Sequence, residues 1–132
     1  MNWKLVLALS LFGLAMAVGT VFVIPSNVEP FFWLAIFLIC AWIIAVRAPG
    51  KYFLHGLMVS IVNSLWITAF HIILFDQYIA THQKEAAMIK SMPLSPRVMM
   101  ALTGPLVGIV SGLVLGLFAF VAHKVIALRA KR

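Results

Sequence analysis

The chain has 132 residues, of which 64% are hydrophobic and 10% charged, with a formal net charge of +7. Soluble domains average roughly 45–50% apolar and about 25% charged residues, and a chain this short could not hide so much apolar surface in one aqueous core. An ordinary water-soluble domain is therefore excluded, and the basic charge does not point to nucleic acid, because Lys and Arg sit between long apolar runs and at the C-terminus, as loop charges do beside a lipid bilayer.

A helix needs roughly 20 apolar residues to cross the hydrocarbon core. By that measure the sequence predicts an all-α membrane protein. It is a single transmembrane domain over residues 1–132, with four transmembrane helices in an antiparallel up-down bundle at about 5–24, 31–48, 53–76 and 98–123. The first run, Leu5 to Ile24, is uncharged and is ended by Pro25 and Ser26. Met1-Asn2-Trp3-Lys4 resembles the start of a signal peptide, and Ala15-Met16-Ala17 resembles a cleavage site. The apolar run nevertheless continues through Val18 to Ile24, long for a signal sequence, so a retained span is expected.

The second span follows Glu29-Pro30 and starts at Phe31; Arg47 can snorkel at its end, and Pro49-Gly50 breaks the helix. Its Cys40 is the only cysteine, so it makes no internal disulfide and is expected to be a small buried hydrophobe. The third span runs from Tyr52 to Phe75 and ends at Asp76. Ile79 to Met92 carries the pattern of a short interfacial helix before the fourth span, with Ile79, Ala86, Ile89 and Met92 toward lipid, stopped by Pro93 and Pro96. The fourth span runs from Val98 to about Ala122, with Ser95 as N-cap and Pro96 in the first helical position.

Lys and Arg set the orientation. With both termini inside, the inner side holds seven of them (Lys4, Arg47, Lys51, Lys124, Arg129, Lys131, Arg132) and the outer side three (Lys84, Lys90, Arg97). An inner-membrane protein with cytoplasmic termini is expected. Phe31, Phe32, Trp33 and Tyr78 would mark the outer interface, and Trp3 and Tyr52 the inner one. The basic C-terminus would anchor that topology and suits anionic headgroups.

Lipid removes the hydrophobic drive between helices, so close backbone contact and polar links must hold them together. Gly104, Gly108, Gly112 and Gly116 recur every four residues and form a glycine zipper on the fourth span, beside Ser111. Such a stripe is a groove for another helix, within the chain or in a second copy, or room for a flat ligand. The looser stripe Ser10, Gly13, Ala17 and Thr20 makes the first span its expected partner. The third span is the polar one. Ser60, Asn63, Ser64, Thr68 and His71 fall within roughly 140° of one face, and should line the bundle interior as interhelical links or as a substrate or proton path. Ser and Thr can bond their own backbone, but Asn63 and His71 need a partner.

His55 and His123 sit near the inner ends of the third and fourth spans, at similar depth if the spans run antiparallel. They are candidate ligands for a bis-histidine haem b, with Gly56 and Gly116 making room for the macrocycle; the ordinary alternative is two interfacial rings. His82 is expected to be solvated in its loop. No metal ligand set is expected, since His71, Asp76 and His82 share neither a helix face nor a zinc-like spacing. No activated nucleophile, carboxylate pair or phosphate loop is present in the pattern, so no catalytic residue is assigned.

The stretches Arg47 to Gly56, Tyr78 to Pro93 and Gly104 to Lys124 give a short basic loop, a longer polar loop and a glycine-rich last span with a basic end. In outline this resembles a loose group of small four-span bacterial membrane proteins of unknown function. The resemblance implies a four-helix fold and no activity, and no residue role carries over. The leading expectation is a non-enzymatic accessory or assembly subunit acting through helix contacts, in a homo-oligomer or a larger membrane complex. The alternatives are a small transporter or channel with a polar path along the third span, and a haem-binding electron-transfer subunit.

Overall fold

The computed structural model describes residues 1–131 as an all-helical chain; Arg132, one of the inner basic residues, lies outside the described residues. Four long helices, α1 (Trp3–Phe22), α2 (Glu29–Arg47), α3 (Tyr52–Ile73) and α6 (Pro96–Arg129), are each long and apolar enough to cross a membrane. Two short helices, α4 (Phe75–Thr81) and α5 (Gln83–Lys90), lie between α3 and α6.

The helix ends follow from local chemistry. The Asn2 side chain caps α1 by accepting from the Leu5 amide, and Ser95 caps α6 by accepting from the Val98 amide. Proline stands in the first turn of α2 and of α6, where a missing N–H costs nothing. Gly50 at φ +136° and Lys51 at φ +51° make the sharp turn into α3. At 34 residues α6 is about 51 Å long, well over the roughly 30 Å of a hydrocarbon core. The expected helix over Ile79 to Met92 is two helices instead, broken at His82.

α3 is the centre of the packing, held between α6 and α1, while α2 rests chiefly on α6. The glycines explain the closeness. A Cβ added at Gly112 would stand 2.9 Å from the Leu57 carbonyl oxygen, and one at Gly116 would stand 2.6 Å from that of Phe53. Gly104 meets Thr68 and Gly108 meets Ser64 in the same way. Residue number on α6 thus rises as that on α3 falls. On the other side of α3, Gly13 of α1 lies against Asn63, Asn2 meets His55 and Thr20 meets His71, numbers rising together. The glycine zipper therefore serves α3, not the expected α1. The reason is reciprocal fit: α3 offers Ser64, Thr68 and its own Gly56 to the groove, while the small residues of α1 take the opposite side of α3. Val6, Met16, Cys40, Ile44, Val59 and Leu115 fill the remaining core, with Cys40 buried as expected.

Candidate functional site: a cavity closed at one end

The polar arc of α3 lines a cavity of about 620 Å³. Its walls are the first half of α2, the second half of α3 and the first half of α6, and α5 borders it. All five arc residues, Ser60, Asn63, Ser64, Thr68 and His71, are in the lining. The rest is mostly apolar, including Trp33, Phe37 and four methionines: Met88, Met92, Met99 and Met100. Ile89 and Met92, expected to face lipid, line the cavity, whereas Ile79 and Ala86 border a shallow groove with Asp76 and Lys90. No residue of α5 is buried: Met88 is 59% exposed and, just beyond the helix, Met92 is 41% exposed, so α5 lies along the edge of the cavity.

Four of the five arc residues are accounted for by their neighbours. Ser111 donates to the Val107 carbonyl at 2.6 Å, which leaves its oxygen to accept from Ser60 at 2.9 Å. Ser64 donates to the Ile61 carbonyl of its own helix. Thr68 packs on Gly104. Thr20 donates to the Met16 carbonyl at 2.8 Å, so its oxygen accepts from His71 Nε2–H at 2.9 Å and the His71 Nδ1 keeps the lone pair. Asn63 differs. It is 2% exposed, and neither Nδ2 nor Oδ1 has a hydrogen-bond partner. Leaving such a group unpaired costs roughly 1–3 kcal/mol, yet this one stands in a cavity wall.

Beyond His71 a stack of rings leads out of the span. His71 and Tyr78 stack with centroids 4.0 Å apart, and Tyr78 and His82 stack at 4.3 Å. Tyr78 is buried, and His82 is 1% exposed instead of solvated. His82 Nδ1–H donates to the Tyr78 carbonyl at 3.1 Å, and its Nε2 is buried without a partner. Burial first, then the carboxylates of Glu85 and Glu29, push the Tyr78 hydroxyl up to about 12. Glu29 accepts from Trp33 Nε1–H at 3.2 Å, and the Glu85 Oε2 is buried and unpaired. No sequence pattern signals that Glu29 and Glu85 share a cavity, because they lie on separate elements 56 residues apart.

The haem candidates are otherwise engaged. His55 Nδ1–H donates to the Lys51 carbonyl at 3.0 Å, and Nε2 accepts the Asn2 amide at 2.9 Å. His123 stacks flat on Tyr52 at 3.7 Å. Gly56 and Gly116, expected to make room for a macrocycle, meet each other: a Cβ at Gly56 would stand 2.7 Å from the Gly116 Cα. The residues do not fit a haem between α3 and α6. Among the described residues no three His, Cys, Asp or Glu side chains cluster as a metal site would require.

Four candidate spans, three of which (α2, α3 and α6) wall the cavity, place the chain among multi-pass membrane proteins. No protein-family model, curated protein or solved structure matches it.

Proposed function

We propose that this chain is a small inner-membrane binding protein, a carrier of an amphipathic small molecule. The bundle is read as antiparallel and up-down, with both termini cytoplasmic, so the cavity opens toward the outer side. The single observation that supports this reading is the cavity itself: about 620 Å³ between α2, α3 and α6, mostly apolar, with the polar arc of α3 along one wall. Cavities of this size, largely apolar with a few convergent polar groups, are the usual form of small-molecule sites.

A carrier suits the geometry better than a channel. Below Ser60 the path along α3 is closed, because Leu57, Gly56 and Phe53 meet α6 at backbone contact. Passage would need those helices to separate. Within the accessory-subunit expectation, the homo-oligomer forms through the glycine stripe. That face is occupied by α3, so assembly through it has no support.

The test is native mass spectrometry of the protein released from lipid nanodiscs. A co-purified small molecule, one per chain and lost in Asn63→Leu, is the expected result. A bare chain, together with no thermal stabilisation by any of a panel of neutral, cationic and anionic amphiphiles, would refute the reading.

A further inference from the structure

Charge is distributed oddly at this end of the molecule. The chain carries +7 overall, yet among the described residues the cavity lining holds two carboxyl side chains, Glu29 and Glu85, and no Lys or Arg. The three basic residues closest in sequence are occupied or turned away. Arg97 lies over the Phe75 ring at 4.9 Å and donates to the Ile72 carbonyl. Lys90 borders the groove on the other side of α5, beside Asp76, and Lys84 is exposed.

The hydrogen-bonding inventory has the same sign. The unpaired buried atoms of the lining are two acceptors, Glu85 Oε2 and Asn63 Oδ1, and one donor, Asn63 Nδ2. One oxygen of the partly exposed Glu85 carboxylate is thus covered without a hydrogen-bond partner, and a positive charge is the natural complement of a carboxylate. The same lining holds the aromatic rings of Trp33 and Phe37, a type of side chain whose π face attracts cations, whereas the Tyr78 ring is stacked with His71 and His82. The Glu29 hydrogen bond holds the Trp33 ring at the cavity edge. Four methionines supply a soft, polarisable and adaptable lining that tolerates ligands of differing shape. An anionic headgroup would find two carboxylates and no cation.

From these observations we infer that the cavity takes a lipophilic cation, an aromatic or quaternary onium compound whose charge lies between Glu29 and Glu85 and whose apolar body lies among Trp33, Phe37 and the methionines. This assignment rests on the proposed binding function and adds the class of ligand to it.

Tetraphenylphosphonium and tetraphenylborate have nearly the same shape and opposite charge; triphenylphosphine oxide is a neutral relative. Equilibrium binding of each is measured on the full chain in zwitterionic nanodiscs, with empty discs subtracted. Saturable phosphonium binding, at least tenfold tighter than the oxide and with no saturable borate binding, is expected. Glu85→Gln and Glu29→Gln should each weaken it five- to tenfold and narrow the preference for the phosphonium over the oxide. Borate or oxide binding as tight as that of the phosphonium would overturn the cation assignment and leave a binding site standing. No saturable binding of any probe would overturn both. The comparison of the three probes on the unmodified chain decides the matter even if a Glu variant does not fold.

Discussion

Asn63→Leu separates a residue kept for a ligand from one kept for the fold. Leucine branches as asparagine does, although Gly13 of α1 lies close against the end of the side chain. The wild-type amide has two buried atoms without partners. Each such group costs roughly 1–3 kcal/mol. Allowing for crowding at Gly13, the ligand-free variant should be more stable by about 2 kcal/mol, an increase of several degrees in Tm. A ligand at one hundred times its Kd stabilises the wild type by about 2.7 kcal/mol. It should do nothing for the variant, so saturation removes the variant's advantage. Thermal unfolding in mild detergent, followed by tryptophan fluorescence with and without tetraphenylphosphonium, reads both effects. A lower Tm for ligand-free Asn63→Leu would show that the amide already contributes to stability, and would refute the idea that it waits for a ligand.

The glycine contacts are internal, so Gly108→Leu and Gly112→Leu should lower Tm sharply by driving α3 and α6 apart; size-exclusion with light scattering would then report misfolded or aggregated material instead of a smaller oligomer. Thr20→Val removes the acceptor for His71 Nε2–H and should cost about 1–3 kcal/mol, read by chemical denaturation, with no change expected for Thr103→Val, whose hydroxyl bonds only its own helix. Tyr78 has its folded pKa raised from 10.0 to about 12, so its neutral form is the one the fold favours. Its contribution to stability should be complete below about pH 10 and decline as the pH rises toward 12. Ultraviolet titration should show a late tyrosinate step that Tyr78→Phe abolishes. Protein expressed with ample haem should show no Soret band, since both His55 nitrogens are occupied.

Part of the fold and of the cavity is legible in the amino-acid sequence. Hydropathy and length are properties of one segment against lipid, so the four spans, their approximate ends and the Ser95 cap can be read directly. The 100° step of a helix likewise puts Ser60, Asn63, Ser64, Thr68 and His71 on one face, and that face lines the cavity. Other features depend on what another part of the chain presents. The four glycines announce a groove but not its occupant; α3 takes it because its own small and polar side chains match the spacing. His55 and His123 do approach the same end of α3 and α6, but two glycines in backbone contact leave no room between the helices. The bend at His82 splits the expected helix in two and buries a ring that its place in a polar loop assigns to solvent. Glu29 and Glu85 line one cavity from α2 and α5, elements far apart in the chain. The sequence by itself determined how many times the chain can cross a membrane and which face of α3 is polar, because both are set by local chemistry. Only the tertiary structure decided that this face borders an acidic, aromatic cavity with an unpaired amide, because that depends on shape matching between segments far apart in the chain.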